Sequence, residues 1–480
     1  MKRSLLVRLQ FVLMATLLLV IISVGVGAQE NLTSECTKVI RITSLEECLK
    51  LAFEQNRQRQ VSRAAIARAE AQHQQALSSY WPQVTATLSA SRRDEDSNFL
   101  FPEEISTYNI AGLAPLPMDV TVRVPEKDVK HLDRDLFAGS LNFLYPLYTG
   151  GKRRAVVKQA ELGVHIAEES ARRTDLQILY DVKRMYYGKI LAARLRALGQ
   201  ETLERLQATQ TLTEQLYQTG TGAVKKTDYL RTNMMVSTAR SLVEFLRSND
   251  DLATAALINV LGFPWDTHLE LTDAEIPFIP LSAEVHDLVA EAYQFSPDWG
   301  QFELALAAAE TSIQQARGGH LPTIALTGDL TYVAKTYDSG LMSDQNRNSW
   351  TVGVALELPI FTGFRTTQQV KEAQSRVEQL QHQQMLLSEG IALQIQDAFL
   401  QIDRARGQVE ALQESATFAT ENRELNIRAY QNDLVETREV LEAQLLEAFI
   451  KGQHLKALYD HAISRALLDW LIGREVAKRL

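Results

Sequence analysis

The chain writes one unusual phrase twice. Residues 141–154 read LNFLYPLYTGGKRR and residues 354–367 read VALELPIFTGFRTT: an alternating apolar run, a proline, an aromatic-Thr-Gly, then a polar helix start. A displacement of 213 positions lays Pro146 on Pro359, Thr149-Gly150 on Thr362-Gly363, Lys158 on Lys371 and Tyr217 on Tyr430. Further upstream, a displacement of 240 positions lays Ala52 on Ala292, Phe53 on Tyr293 and Pro82 on Pro322. The value changes because the two prolines are 64 residues apart in the first half and 37 in the second, so one loop is longer by 27. Such self-similarity means that any fold for this chain has to be built twice.

Each half begins with a helical stretch, about residues 44–79 and 284–318, rich in Ala, Glu, Gln and Leu. After Pro82 and Pro322 the pattern becomes strict alternation: Val84, Ala86, Leu88 and Ala90 against Thr85, Thr87, Ser89 and Ser91, then Ile324, Leu326, Leu330 and Tyr332 against Thr323, Thr327, Asp329 and Thr331. A period of two predicts strands over about 82–93 and 322–333, answered by returning strands over about 137–147 and 349–360. The joining segments, 93–135 and 334–347, carry prolines, glycines and acids and are expected as polar, solvated loops. Phe99, Phe101, Tyr108, Tyr337 and Trp350 are candidates for a membrane interface.

After each Thr-Gly a long helix is expected, about 150–218 and 363–431, with return helices over about 226–261 and 437–473. In the second half Val370, Ala373, Val377, Leu380, Gln384, Leu387, Ile391, Ile395, Ala398, Ile402, Ala405 and Val409 follow spacings of three and four, with one extra four at Ile391–Ile395. This is a coiled-coil seam carrying a stutter. At 1.5 Å per residue such a helix is about 100 Å long. The units are therefore 29–261 and 284–475, joined by a connector, 262–283, in which Pro264, Pro277 and Pro280 forbid a continuous helix.

Residues 1–28 have a basic start, an unbroken apolar run and Val26-Gly27-Ala28, and are expected to be a signal peptide; an uncleaved anchor is the alternative. The formal charge of −9 becomes −12 when Lys2, Arg3 and Arg8 leave with it, which speaks against nucleic acid as a partner. Cys36 and Cys48 either form a disulfide stapling the N-terminal segment to the first helix or remain two buried thiols.

Strands of about ten residues are long enough to cross a bilayer when tilted. An apolar face toward lipid requires a closed sheet, because an open edge leaves backbone groups unpaired in hydrocarbon. Four strands cannot close by themselves. Two copies of the chain would supply eight strands and three would supply twelve, and the pattern alone asks only for at least two. The competing reading is a soluble sheet whose apolar face the helices cover.

The order of proline, paired strands, Thr-Gly and long helix, twice over, with Tyr217 and Tyr430 before the two helix tips, resembles the TolC family of outer-membrane efflux proteins across about residues 40–475. The resemblance implies a membrane α+β fold: a homotrimer whose 12-strand β-barrel, four strands per chain, sits in outer-membrane lipid and continues as an α-helical coiled-coil tunnel through the periplasm. It also implies docking to a periplasmic adaptor protein and to an inner-membrane pump or an ABC translocase of type I secretion. The phrase Glu439-Val440-Leu441-Glu442 stands where the family has an acidic D-V-L-D at its periplasmic aperture. Glu439 and Glu442 are three apart and share a helix face, so three copies would set six carboxylates around one constriction. By the same likeness Tyr430 falls on a gate tyrosine and Thr227-Asp228 on its partners, with a Tyr430–Asp228 contact expected; Val435 stands where the family has an arginine, for which Lys225, Lys226 or Arg438 are candidate substitutes. The tips, with Gly220, Gly222 and Ala223 in one and Asn432, Asp433 and Leu434 in the other, resemble adaptor-docking turns, and Asn432 and Asp433 are expected to tolerate left-handed backbone there.

Nothing points to an enzyme or a cofactor. The nine histidines are scattered, no His-Glu-x-x-His or Cys-x-x-Cys occurs, and Gly150-Gly151-Lys152 lacks the remaining residues of a phosphate loop. The reading is a passive exit duct opened at its periplasmic tip by partners. The alternatives are a non-conducting periplasmic coiled-coil scaffold and a surface adhesin or receptor using the long 93–135 segment.

Overall fold

The computed structural model describes residues 39–42, 44–95, 97–110, 118–132, 134–219, 224–272, 275–334, 347–432 and 434–474. The leader 1–28, Cys36 and Tyr337 lie outside the described residues. The first half runs β1 Val39–Ile42, α1 Leu45–Gln55, α2 Arg57–Leu77, β2 Gln83–Arg92, β3 Ser97–Phe101, β4 Glu104–Ile110, β5 Met118–Val124, β6 Lys127–Leu132, β7 Asp135–Tyr148, α3 Lys152–Gln218 and α4 Lys226–Leu261. Then follow β8 His268–Leu271, α5 Val285–Phe295, α6 Pro297–Arg317, β9 Thr323–Ala334, β10 Asn348–Glu357, α7 Arg365–Gln431 and α8 Thr437–Ile472. Corresponding helices have equal lengths: 11 and 21 residues before the strands, 67 and 36 after them.

The leading stretches are not single helices. Each breaks after 11 residues, at Asn56 and at Ser296, both extended with ψ 125°. Asn56 caps α2 by accepting from Gln58 N at 2.8 Å and donates from Nδ2 to Val260 O at 2.8 Å. Ser296 precedes Pro297, which has no N–H to lose at the first position of α6. The breaks let the return helices seat against them. Gly262, the C-cap of α4 at φ 85°, lies so close to the Gln55 carbonyl that a Cβ would approach its oxygen to 2.6 Å. Gly473 ends α8 in the same way against the Phe295 carbonyl, at φ 83°. Gly262→Ala combines left-handed strain with a backbone clash, and denaturant titration is expected to read a loss of more than about 1 kcal/mol.

Two apolar cores sit at these junctions. One gathers Cys48, Ala52, Ile178, Val182, Leu257 and Leu261; the other gathers Leu288, Ala292, Ile391, Ile395, Leu468 and Ile472. Cys48 thus occupies the place that Leu288 holds in the second half. It is a free, fully buried thiol, pushed up to about 12 by burial and by neighbouring Glu47. Cys36, the other member of the pair considered in the sequence, lies outside the described residues, and Cys48 itself packs as a small core hydrophobe. What ties the N-terminal segment down is a parallel pairing of β1 with β8 of the connector, Val39 opposite His268 through Ile42 opposite Leu271.

The seam of α7 is buried as its spacing predicts, at Val377, Ile391, Ile395, Ala398, Ile402, Ala405 and Val409. The same 3–4 rule sets α3 against α4 and α7 against α8 as two long helical hairpins.

Four strands form one antiparallel sheet in the order β10-β9-β7-β2. Its register puts like with like: Ala86 opposite Leu141, Leu141 opposite Leu330, and Leu330 opposite Trp350. One face carries Val84, Leu88, Leu141, Phe143, Leu330, Trp350 and Val352 up to the Arg92–Asp135 pair that ends it, and the other carries Thr87, Ser140, Thr331 and Ser349. The covered soluble sheet is not what forms. Val84, Leu88, Val352, Val354 and Leu356 are 58–67% exposed, and the outer edges of β2 and β10 have no partner strand among the described residues.

The 93–135 segment also differs from the expected loop. β3 pairs with β6 and β4 with β5, so the β2–β7 hairpin continues past its Arg92–Asp135 pair as two further two-stranded ladders. Alternation within MDVTVRV and EISTYNI carries this pairing, despite the surrounding prolines and charges.

Candidate functional site

The ends of the two hairpins remote from the sheet bring most of the expected site residues together. Glu439 and Glu442 stand exposed in the opening turns of α8, while Val440 and Leu441 between them are buried. Glu442 has Arg438 at 3.9 Å, one turn back on the same helix. Apart from that weak pair, both carboxylates face away from the chain's own packing.

Tyr430, in the last turn of α7, is only 5% exposed. Its hydroxyl lies 2.9 Å from Thr213 Oγ1 on α3 and 3.1 Å from Thr437 Oγ1 at the start of α8, and so joins three helices. The expected Tyr430–Asp228 contact is not made within the chain. Asp228 caps its own helix, with Lys225 N donating to Oδ2 at 3.1 Å and Arg231 3.7 Å from Oδ1. A carboxylate in the first turn finds unpaired N–H groups at hand, and that local demand wins. Thr227 is exposed. Val435 is half-buried, Arg438 faces Glu442, and the cation beside Asp228 within the chain is Arg231.

Of the tips, Gly220, Gly222, Ala223 and Asp433 lie outside the described residues. Asn432 is not left-handed; at φ −107° it ends α7, and its Nδ2 donates to Arg428 O at 2.7 Å. Leu434 is exposed and donates its N–H back to Ala429 O. Tyr217 and Tyr229 stack with centroids 5.5 Å apart, pinning the end of α3 to the start of α4.

Sequence reasoning missed the polar line joining the two hairpins above the tip. Arg205, Thr209 and Thr213 stand four apart on α3. Facing them, Arg205 Nη1 donates to Glu447 Oε2 at 2.8 Å, Gln444 Nε2 donates to Thr209 Oγ1 at 2.9 Å, and Thr213 meets Tyr430. Glu447 is 1% exposed and also receives Lys451 Nζ at 2.7 Å and Thr420 Oγ1 at 3.0 Å, with Arg423 Nε 2.9 Å away. Burial pushes its carboxyl up, but Lys451, Thr420 and Arg205 outweigh that and hold it below the ordinary value of 4.5. The available signal was polar residues in core register: Leu441, Gln444, Glu447 and Lys451 continue a three-and-four spacing in which two members are polar and buried.

A sheet with one bare apolar face, stacked on paired 67-residue helices with an acidic far end, suits a molecule that joins a membrane to something distant. The family model described as outer membrane efflux protein matches residues 128–263 and 288–474. The chain belongs to that family. It is therefore an outer-membrane exit duct for efflux. Among relatives it is similar to the outer membrane efflux protein BepC of Brucella suis biovar 1, 24% identical over 342 residues, 70% of this chain and 71% of BepC. It is also similar to the outer membrane protein TolC of Escherichia coli K12, 22% identical over 395 residues, 80% of this chain and 79% of TolC. The fold is that of the outer membrane protein VceC of Vibrio cholerae, with TM-score 0.68 and 18% identity over 89% of this chain and 96% of that one.

Proposed function

We propose that three copies of this duplicated chain close a 12-strand barrel in the outer membrane and continue as a helical tunnel, shut at its periplasmic end by Glu439, Glu442 and Tyr430. The observation that carries this reading is the sheet: four strands, an apolar face bare to the surroundings, and two edges unpaired among the described residues. In hydrocarbon such edges have to be paired, and further copies of the chain supply the strands. Equal element lengths support a duplicated unit, 29–261 and 284–475 about the connector 262–283. Helices of 67 residues give the tunnel a length of about 100 Å.

The duct is passive and non-enzymatic. Its tips, from Thr219 to Lys225 and from Asn432 to Glu436, are the docking turns for a periplasmic adaptor, beyond which an inner-membrane pump or ABC translocase delivers cargo. Repeated about a threefold axis, Glu439 and Glu442 set two carboxylate rings that concentrate cations and repel one another, leaving a narrow aperture poised to widen. Glu439→Ala with Glu442→Ala is expected to reduce cation selectivity and relieve block by divalent cations in planar bilayers. Unchanged selectivity and block would remove both residues from the constriction.

The surface-receptor reading has one observation in its favour: the hairpin extension leaves Phe99, Leu100, Ile105, Tyr108 and Val122 exposed beyond the barrel strands. Cleavage there that abolishes binding of an external ligand while sparing export would support that second role.

A further inference from the structure

The duplication puts two different ionisable groups in one place. A displacement of 211 positions lays α4 on α8, Lys226 on Thr437 and Leu261 on Ile472, and so lays Asp250 on His461. Asp250 is 6% exposed and is held by two cations of α3, Lys189 and Arg196, the second at 3.1 Å. Displaced by 213 positions, those cations become Ile402 and Val409 of α7, both buried. The positions that neutralise the buried acid in one half are therefore apolar in the other. His461 is 1% exposed, and neither of its ring nitrogens has a hydrogen-bond partner among the described residues.

What lies against the imidazole is the connector. The ring of Phe278 sits 4.8 Å from that of His461, centroid to centroid. Residues 275–284 have no helix or strand of their own, and Ile276 and Leu281 reach the two apolar cores on either side. The charges acting on the ring are cationic: Arg465, one turn along α8, and Arg406 of α7, which also pairs with Asp403 at 2.7 Å. Next to His461 on its own helix, Asp460 is bound to Lys456 at 2.6 Å. From α3, Lys183 lies 3.7 Å from Asp469, and the charge of Arg184 acts on Tyr459. The acid of this part of the connector, Glu275, is exposed. An imidazolium here would be a third cation beside two arginines, buried with no acceptor among the described residues, and that is costly.

We infer that His461 and Phe278 form an acid-released clasp: the neutral imidazole seats the connector on the α7–α8 hairpin, and protonation draws the ring into water and frees residues 275–283. The clasp lies within one chain and acts whether or not further copies close the barrel. It would make the segment that ties the two halves together tight at neutral pH and loose in acid.

The direction follows from the two states. Burial, then Arg465 and Arg406, hold the seated imidazole below its ordinary value of 6.5. Once released into water it returns to that value, so between the two values the released state binds more protons and gains on acidification. From about pH 7.5 to about pH 5.5, above the carboxylate range, the opening equilibrium should rise by up to about tenfold.

The test places a thiol on the connector of the full chain: Ile276→Cys, with Cys36→Ser and Cys48→Ala. Its rate of reaction with an uncharged disulfide reagent, divided at each pH by the rate for a short peptide thiol, reports release. The ratio is expected to rise several-fold over this range, starting near pH 6.5. His461→Phe and His461→Leu keep an apolar seat for Phe278 and should lose the rise. Phe278→Ala should react fast at both ends of the range. His268→Gln and His286→Gln, at the exposed imidazoles on and beside the connector, should keep the rise. A flat ratio in the parent, a rise that persists in both His461 variants or vanishes with His268→Gln or His286→Gln, or a slow Phe278→Ala overturns the clasp. If both His461 variants already react fast at neutral pH, the parent curve decides: onset near pH 6.5 supports the clasp, and onset only within the carboxylate range overturns it.

Discussion

Glu447→Gln is expected to loosen the joint between the two hairpins more than any other conservative exchange near the tip. The side chain keeps its size, and an amide oxygen can still accept from Lys451 and Thr420. What disappears is the carboxylate that binds Arg205, Arg423 and Lys451 at once. Breaking a buried ion pair on one side costs about 3–5 kcal/mol, because the remaining charge stays desolvated. Here the cations keep partial access to water, at 13–32% side-chain exposure, so the lower end, about 3 kcal/mol, applies. Amide exchange over residues 200–213 and 437–450 should then accelerate by roughly two orders of magnitude. Exposed Glu442→Gln should stay within about 0.5 kcal/mol of the parent. Because the folded carboxyl lies below its ordinary value, its contribution is present in full above the carboxylate range and lost as pH falls through the depressed value. The gap between parent and variant should accordingly be full at neutral pH and shrink on acidification below 4.5. Equal exchange in parent and variant at neutral pH would mean that the joint holds without this charge.

Val352→Arg is expected to prevent assembly in the membrane, and Thr351→Arg to permit it. The two positions are adjacent on β10 and face opposite sides of the sheet, Val352 opposite Gly328 and Thr351 opposite Asp329. An arginine facing lipid near the bilayer midplane costs about 2–4 kcal/mol, and three copies would bring roughly 6–12 kcal/mol to one barrel. An arginine on the Thr351 side joins the polar face, beside Asp329 and Ser349. Heat-modifiable migration and membrane flotation should survive the second change and be lost with the first. Equal assembly of both variants would show that the apolar face does not meet lipid.

Much of the architecture was legible because it rests on short-range periodicity. Alternation at Val84–Ala90 and Trp350–Leu356 marks strands with one greasy face, and the spacing from Val377 to Val409 marks a buried helical stripe. The break at Asn56 and the ladders within 93–135 were not legible. The first depends on Gly262 arriving from two hundred residues away, the second on pairing between segments whose prolines and charges resemble a loop. At the hairpin tip, Glu439, Glu442 and Tyr430 were singled out by likeness alone, and the partners of Tyr430 within the chain were not legible, since capping of α4 takes Asp228 first.

That the strands carry an apolar face and that the helices are long could be read from the chain alone, because each is a periodicity among neighbours a few positions apart. Which polar groups are buried came from packing: Glu447, Gln444 and Thr213 look like solvated residues until a second hairpin lies against them. Charge burial is a property of the approach of distant segments, and no local pattern states how close they come.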